Sequence, residues 1–324
     1  MCAILRVFPQ TRAVEGAQMV TPANAIAALL TLIPFLAAAF FPGNLAGCAR
    51  RLPGWAQILC PAVLCAPYAL VTLAAGQFRW GWLALYALLP VAIAVLLGQA
   101  MRADSEQPPQ RRGSVAGAPG TQRGNWRDFL VLATLGLAVD LRWFEGAWPA
   151  HLSIFGKMLL LDAGIYGFIA LRQLEGTGFD LRVRLRDAGI GARELALYTP
   201  LALAFGLGLG FLHLHRVWPG LAQIAGAWIF TFFFIAVPEE LFFRGWLQNL
   251  LERRIGRIPA LLVTAVLFGL SHFNKRAVLF NWRYVLLAAV AGVFYGRAWR
   301  QERRVAASAI THASVDTLWS MWLR

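Results

Sequence analysis

An all-α, polytopic transmembrane protein is the fold class this chain predicts, and three observations predict it. Hydrophobic residues make up 59% of the 324 residues and charged residues only 14%, against about 45–50% and about 25% in an ordinary soluble domain. The apolar residues gather in runs of roughly 17–25, the length that crosses a bilayer as helix. Those runs lack the alternating polarity of a closed β-barrel, the other structure that satisfies its backbone in lipid.

Taken in order, the apolar runs predict about ten spans, at 22–41, 54–76, 80–100, 128–144, 150–171, 196–213, 219–245, 258–273, 284–299 and 305–323. The first follows Arg6 and Arg12 and reads as a retained span in preference to a cleaved signal peptide. After the third, 101-MRADSEQPPQRRGSVAGAPGTQRGNWR-127 is rich in Pro, Gly, Gln and Arg, which predicts a flexible basic linker. The chain thus divides into a three-span N-terminal module at 1–100, the linker at 101–127, and a seven-span C-terminal bundle at 128–324. Between the fifth and sixth spans, 179-FDLRVRLRDAGI-190 alternates apolar and charged residues and predicts a strand-like or interfacial connector.

The net charge is +14, but it is not the footprint of a nucleic-acid binder. The arginines sit in short connectors, as the positive-inside rule demands of a membrane protein. Arg50 and Arg51, five arginines of the linker, the group from Arg172 to Arg193, Arg253 to Arg257, and Arg297 to Arg304 all fall on one side if the spans alternate. That side is expected to be cytoplasmic, in the cytoplasmic (inner) membrane of a bacterium. Lys275, Arg276 and Arg283 fall on the other side and count against it, as do Arg6 and Arg12. Cys2, Cys48, Cys60 and Cys65 form no CxxC pair, so neither a zinc motif nor a disulfide framework is expected.

Ionisable residues inside apolar spans are costly and mark function by default. Three short patterns hold them: 239-EELFFR-244, 268-FGLSH-272 and 312-HASVD-316. In the first, Glu240 and Arg244 stand four apart on one helix face and can neutralise each other. Glu239 is turned about 100° away and has no such local partner, so an apolar setting leaves it poised as a base. Pro238 cannot donate a hydrogen bond, so the helix is expected to bend or restart there. In the second pattern Phe268 can pack beside His272. Glu239 lies 17 residues before Gly256 and His272 lies 16 after it. In a hairpin turning at 253-RRIGR-257, both stand about 24–26 Å from the turn at 1.5 Å per residue, level with each other. The third pattern sets His312 and Asp316 on one face of the last span. His151, His213 and His215 fall near span ends, where a structural role is the ordinary one, and Asp140 and Asp162 stand alone without a motif.

EExxxR, FxxxH and HxxxD, in that order on late apolar helices, resemble the CPBP family of intramembrane proteases. That family includes the type II CAAX prenyl proteases and bacterial relatives linked to bacteriocin processing and self-immunity. The likeness covers roughly residues 150–324 and leaves the first three spans unexplained. It implies an endopeptidase in which Glu239 and His272 activate a water and His312 and Asp316 stabilise the tetrahedral oxyanion. Glu240, Arg244 and Phe268 would organise the site, no cofactor would be needed, and the partners would be a membrane-associated peptide or protein and the lipid bilayer. An asparagine is the usual oxyanion donor, whereas Asp316 donates only when protonated.

Three rival readings stay open at this point. Glu239, His272, His312 and Asp316 could be the ligands of a zinc-dependent protease. The same fold could serve as a non-catalytic immunity or scaffold protein. A transporter could use Glu239 and His272 as a proton relay, although no inverted repeat is evident.

Overall fold

The computed structural model describes residues 21–105, 124–150, 152–215, 218–275 and 280–323. Helix fills most of them and no strand occurs among them, as the fold class requires. Eleven helices follow one another: α1 Pro22–Phe40, α2 Pro42–Arg51, α3 Gly54–Ala74, α4 Trp80–Ser105, α5 Trp126–Asp140, α6 Ile154–Leu171, α7 Leu185–Gly208, α8 Leu221–Ile255, α9 Arg257–Leu270, α10 Trp282–Glu302 and α11 Val305–Trp322. A helix stands at each of the ten expected spans, and α2 is a short addition in a connector. Five of them (α1, α3, α4, α6 and α8) are both long and apolar enough to cross a membrane unaided. The others are shorter or more polar. α11, for example, carries Ser308, Thr311 and His312, each buried against protein.

Three local expectations need correction. α4 runs on to Ser105 and α5 starts at Trp126, so the expected linker contributes five residues to α4 and two to α5; its middle, and the N-terminal Arg6 and Arg12, lie outside the described residues. The stretch from Leu185 to Ile190 opens α7 instead of continuing an extended connector. Asp187, three residues beyond Arg184, accepts a hydrogen bond from the Arg184 backbone N–H, and that cap outweighs the alternating pattern. Pro238 neither breaks nor restarts α8, which passes through it with helical dihedrals on both sides. The backbone ladder instead widens to π turns over Phe232–Ala236 and Leu241–Gln248. A widened turn takes up the hydrogen bond and the space that proline denies.

α6 is the centre of the bundle, with 83% of its apolar window buried, while the corresponding window of α8 is only 17% buried. Ile26, Leu29, Ile33 and Leu36 form an exposed row along α1, and Ile258, Leu262, Val266 and Leu270 another along α9. In water such rows would be aggregation surfaces; they are the lipid-facing sides of a membrane bundle. Between helices the contact relies on small residues, as it does where lipid removes the hydrophobic drive. A Cβ on Gly269 would stand 2.5 Å from the Val285 carbonyl, and one on Gly292 would stand 3.0 Å from Ala265 Cα. α9 and α10 can therefore lie backbone to backbone.

The basic connectors meet at one end. Arg172 reaches Asp104 and Asp128, Arg304 reaches Asp180 and Asp187, Arg303 reaches Glu252, and Arg253 and Arg254 donate to the carbonyls of Glu175 and Gly124. The opposite end joins the His213 and His215 amides to the carbonyls of Leu323 and Trp322, and the Asn274 amide to that of Asp140. The connectors after α4, α6, α8 and α10 thus share one end, and those after α5, α7 and α9 lie at the other. The N-terminal helices are also tied into the rest: Leu181 N–H donates to Ala39 O, Trp148 Nε1 to Tyr86 Oη and Tyr166 Oη to Gln57 O.

Candidate active site

α8 and α9 form the expected hairpin, turning at Gly256 with φ of 85°. A side chain is rarely tolerated in that left-handed region, which is why glycine stands there. The hairpin brings the first two patterns to one side of α10 and α11, and α11 supplies the third.

Glu240 is the best connected of the candidate residues. Arg244, on the same helix face, sets Nη1 3.2 Å from Glu240 Oε1 and Nε 3.1 Å from Oε2, both side chains being fully buried. The guanidinium also donates to the Gly292 carbonyl at 3.0 Å and lies 4.7 Å from the centre of the Phe268 ring. Glu240 then accepts from Ser308 Oγ on α11 and from His312 Nδ1 at 2.8 Å. A buried charge is tolerable only when paired and hydrogen-bonded, and this carboxylate is both.

His312 carries that order forward. With Nδ1 turned to Glu240, Nε2 faces Asp316 Oδ2 at 3.6 Å and Glu239 Oε2 at 3.8 Å. Its ring is stacked on Tyr295 and meets the edge of Phe268. Glu239 Oε2 makes no hydrogen bond. Glu239 therefore combines proximity to an imidazole with an uncommitted oxygen, whereas the neighbouring Glu240 is fully engaged.

His272 sits at the end of α9, where Nδ1 lies 2.9 Å from the Phe268 carbonyl and 3.1 Å from Ser271 Oγ. A carbonyl can only accept, so Nδ1 holds the proton and Nε2 is left with its lone pair. Phe268 packs against the ring with centroids 5.0 Å apart, as its spacing suggested. His272 and Glu239 are within electrostatic reach of each other, and Lys275 acts on both.

A cavity of about 90 Å³ opens against His272, His312 and Asp316, with walls from α7, α10 and α11 that are mainly apolar and aromatic. That volume holds several waters. Among the described residues no three His, Cys, Asp or Glu side chains are grouped as a metal ion requires.

All seven residues singled out from the sequence thus fall in one region. Sequence reasoning missed Ser308, Tyr295 and Tyr284. Ser308 could have been found, since it lies four residues before His312 on the same face. The two tyrosines belong to α10, which carries no motif. Of the unassigned carboxylates, Asp140 lies within reach of Glu239 and Lys275. Asp162 is buried in α6 with neither oxygen hydrogen-bonded.

No curated protein and no solved structure matches this chain. Residues 221–318 match the family model described as type II CAAX prenyl endopeptidase Rce1-like. The match starts later than the residue 150 suggested by the motifs, yet it takes in every one of them from Glu239 to Asp316. In residues 221–318, which hold the buried polar cluster, this multi-pass membrane chain is similar to the Rce1-like type II CAAX prenyl endopeptidases.

Proposed function

We propose that the chain is a glutamate-type intramembrane endopeptidase that hydrolyses a peptide bond of a membrane-associated protein or peptide. The observation that carries this reading is the position of His312, one nitrogen bound to Glu240 and the other facing Glu239 and Asp316 beside a cavity. In the proposed reaction Glu239, assisted by the free Nε2 of His272, takes a proton from a water. The water oxygen bonds to the scissile carbonyl carbon, and the carbonyl π pair moves onto oxygen. His312, as an imidazolium, donates from Nε2 to that oxyanion while Nδ1 stays on Glu240. The proton held by Glu239 then passes to the amide nitrogen as the C–N bond breaks. Fixed donors in a site that excludes bulk water make the largest contribution to such a step.

Residues 128–324 would form the catalytic bundle and residues 1–100 an accessory membrane module. The basic end would face the cytoplasm of a bacterium. No metal is required in this scheme, and nucleic acid has no place in it. The test is a comparison of membrane proteomes from cells carrying the wild type and Glu239→Gln. A peptide processed only in the wild-type cells is expected. Identical peptide sets, or a purified Glu239→Gln protein that cleaves at the wild-type rate, would leave the non-catalytic scaffold as the better reading.

A further inference from the structure

Tyr295 belongs to none of the three motifs, yet it touches the site at three points. Its ring lies on the imidazole of His312, with centroids 4.6 Å apart and planes 15° from parallel. Its backbone carbonyl lies 2.9 Å from Ser308 Oγ and shares that hydroxyl's single proton with Glu240. Its side chain lines the cavity together with His272, His312 and Asp316. Offset stacking and the tether through Ser308 fix the phenol relative to His312 within narrow limits.

The hydroxyl is the informative part. A buried phenol ordinarily finds a hydrogen-bond partner. Tyr68 donates to Arg79 O, Tyr166 to Gln57 O and Tyr198 to Leu287 O, while Tyr86 accepts from Trp148. Tyr295 Oη has no such partner among the described residues, although the residue as a whole is only 2% exposed. It lies within electrostatic reach of Asp316 and Tyr198, both of which line the same cavity. On the peptidase reading Asp316, 3.6 Å from His312 Nε2, is on the oxyanion side, and an ionised carboxylate can only accept. A phenol carries its proton up to a pH of about 10.

We propose that Tyr295 is a catalytic residue, its hydroxyl donating a hydrogen bond from the cavity wall to the tetrahedral oxyanion alongside His312. This rests on the peptidase reading above. The phenol supplies the proton that the aspartate lacks, and Asp316 serves to hold His312 and Tyr295 in place. The proton stays on the phenol oxygen throughout, so no further acid or base is needed.

The test uses the purified full chain in detergent micelles and a quenched fluorescent apolar peptide, chosen from a library because the wild type cleaves it and Glu239→Gln does not. Tyr295→Phe removes one oxygen and keeps the stack. Its kcat is expected to fall about 100-fold, the scale of one lost oxyanion donor, with KM and thermal unfolding unchanged. Adding Asp316→Asn to Tyr295→Phe restores a donor and should recover part of the lost kcat, which a packing role for the phenol would not produce. Tyr295→Phe at the wild-type rate, or a loss that follows thermal stability with no recovery in the double variant, overturns the proposal and leaves the peptidase reading standing. A wild type that cleaves no peptide in the library would overturn both.

Discussion

Glu239 and Glu240 are neighbours in sequence with different surroundings. Glu240 has an arginine, a serine and a histidine on its two oxygens, whereas Glu239 Oε2 has no hydrogen bond. The difference predicts two kinds of variant. Arg244→Ala would take from the buried Glu240 its arginine counter-ion, at a cost of up to about 3–5 kcal/mol. It should lower the thermal unfolding temperature in detergent together with any activity, while Glu239→Gln should lose activity at nearly unchanged stability. Asp316 separates the proposed chemistry from the zinc alternative. As an oxyanion-side group it can be exchanged for an amide, so Asp316→Asn should keep cleaving while Asp316→Ala fails. As a metal ligand it must be an anion, and the amide should weaken the site severely. An excess of strong zinc chelator should leave the wild type active; inhibition reversed by added zinc, with an inactive Asp316→Asn, would favour the metal reading.

At the scale of single elements, the α9–α10 contact and the widened turns of α8 determine where the motifs meet. Gly269 faces the Val285 carbonyl and Ala289, three residues before His272. Gly269→Leu should push α9 off α10, lower the unfolding temperature and reduce activity by displacing His272. Gly226 on the outer part of α8 has nothing within 4 Å of an added Cβ. Gly226→Ala, measured in the same assay, should match the wild type and so controls for a glycine change in a helix. Equal behaviour of the two variants would mean that the close contact does not set the position of His272. The π turns around Pro238 explain why a proline beside the two glutamates is compatible with an unbroken helix, which simple helix rules do not anticipate.

Over the whole molecule, four basic connectors converge on one end, where their arginines pair with acidic residues or carbonyls of neighbouring connectors. This supports a cytoplasmic position for the 101–127 segment. A reporter fused near Ser114 should be active only as a cytoplasmic reporter, and a periplasmic signal there would mean that the span count before it is wrong. Arg172, which follows α6, bridges Asp104 at the end of α4 and Asp128 at the start of α5, so the first three spans and the later bundle share a buried ion cluster.

By itself the sequence determined the membrane class, marked the apolar runs at which helices stand, and singled out seven residues that the bundle brings into one region. Each of these depends on local quantities: apolar run length, and three- or four-residue spacing on a helix face. Tertiary structure decided the rest. Ser308 and Tyr295 join the site because α10 and α11 pack against α8, and no spacing within one helix encodes a contact between helices. The same holds for the two glutamates, whose separate surroundings depend on what α10 and α11 place opposite each face. Pro238 reads as a break along the chain, but in the bundle the helix is held on both sides, and widening its turns satisfies the backbone without ending it.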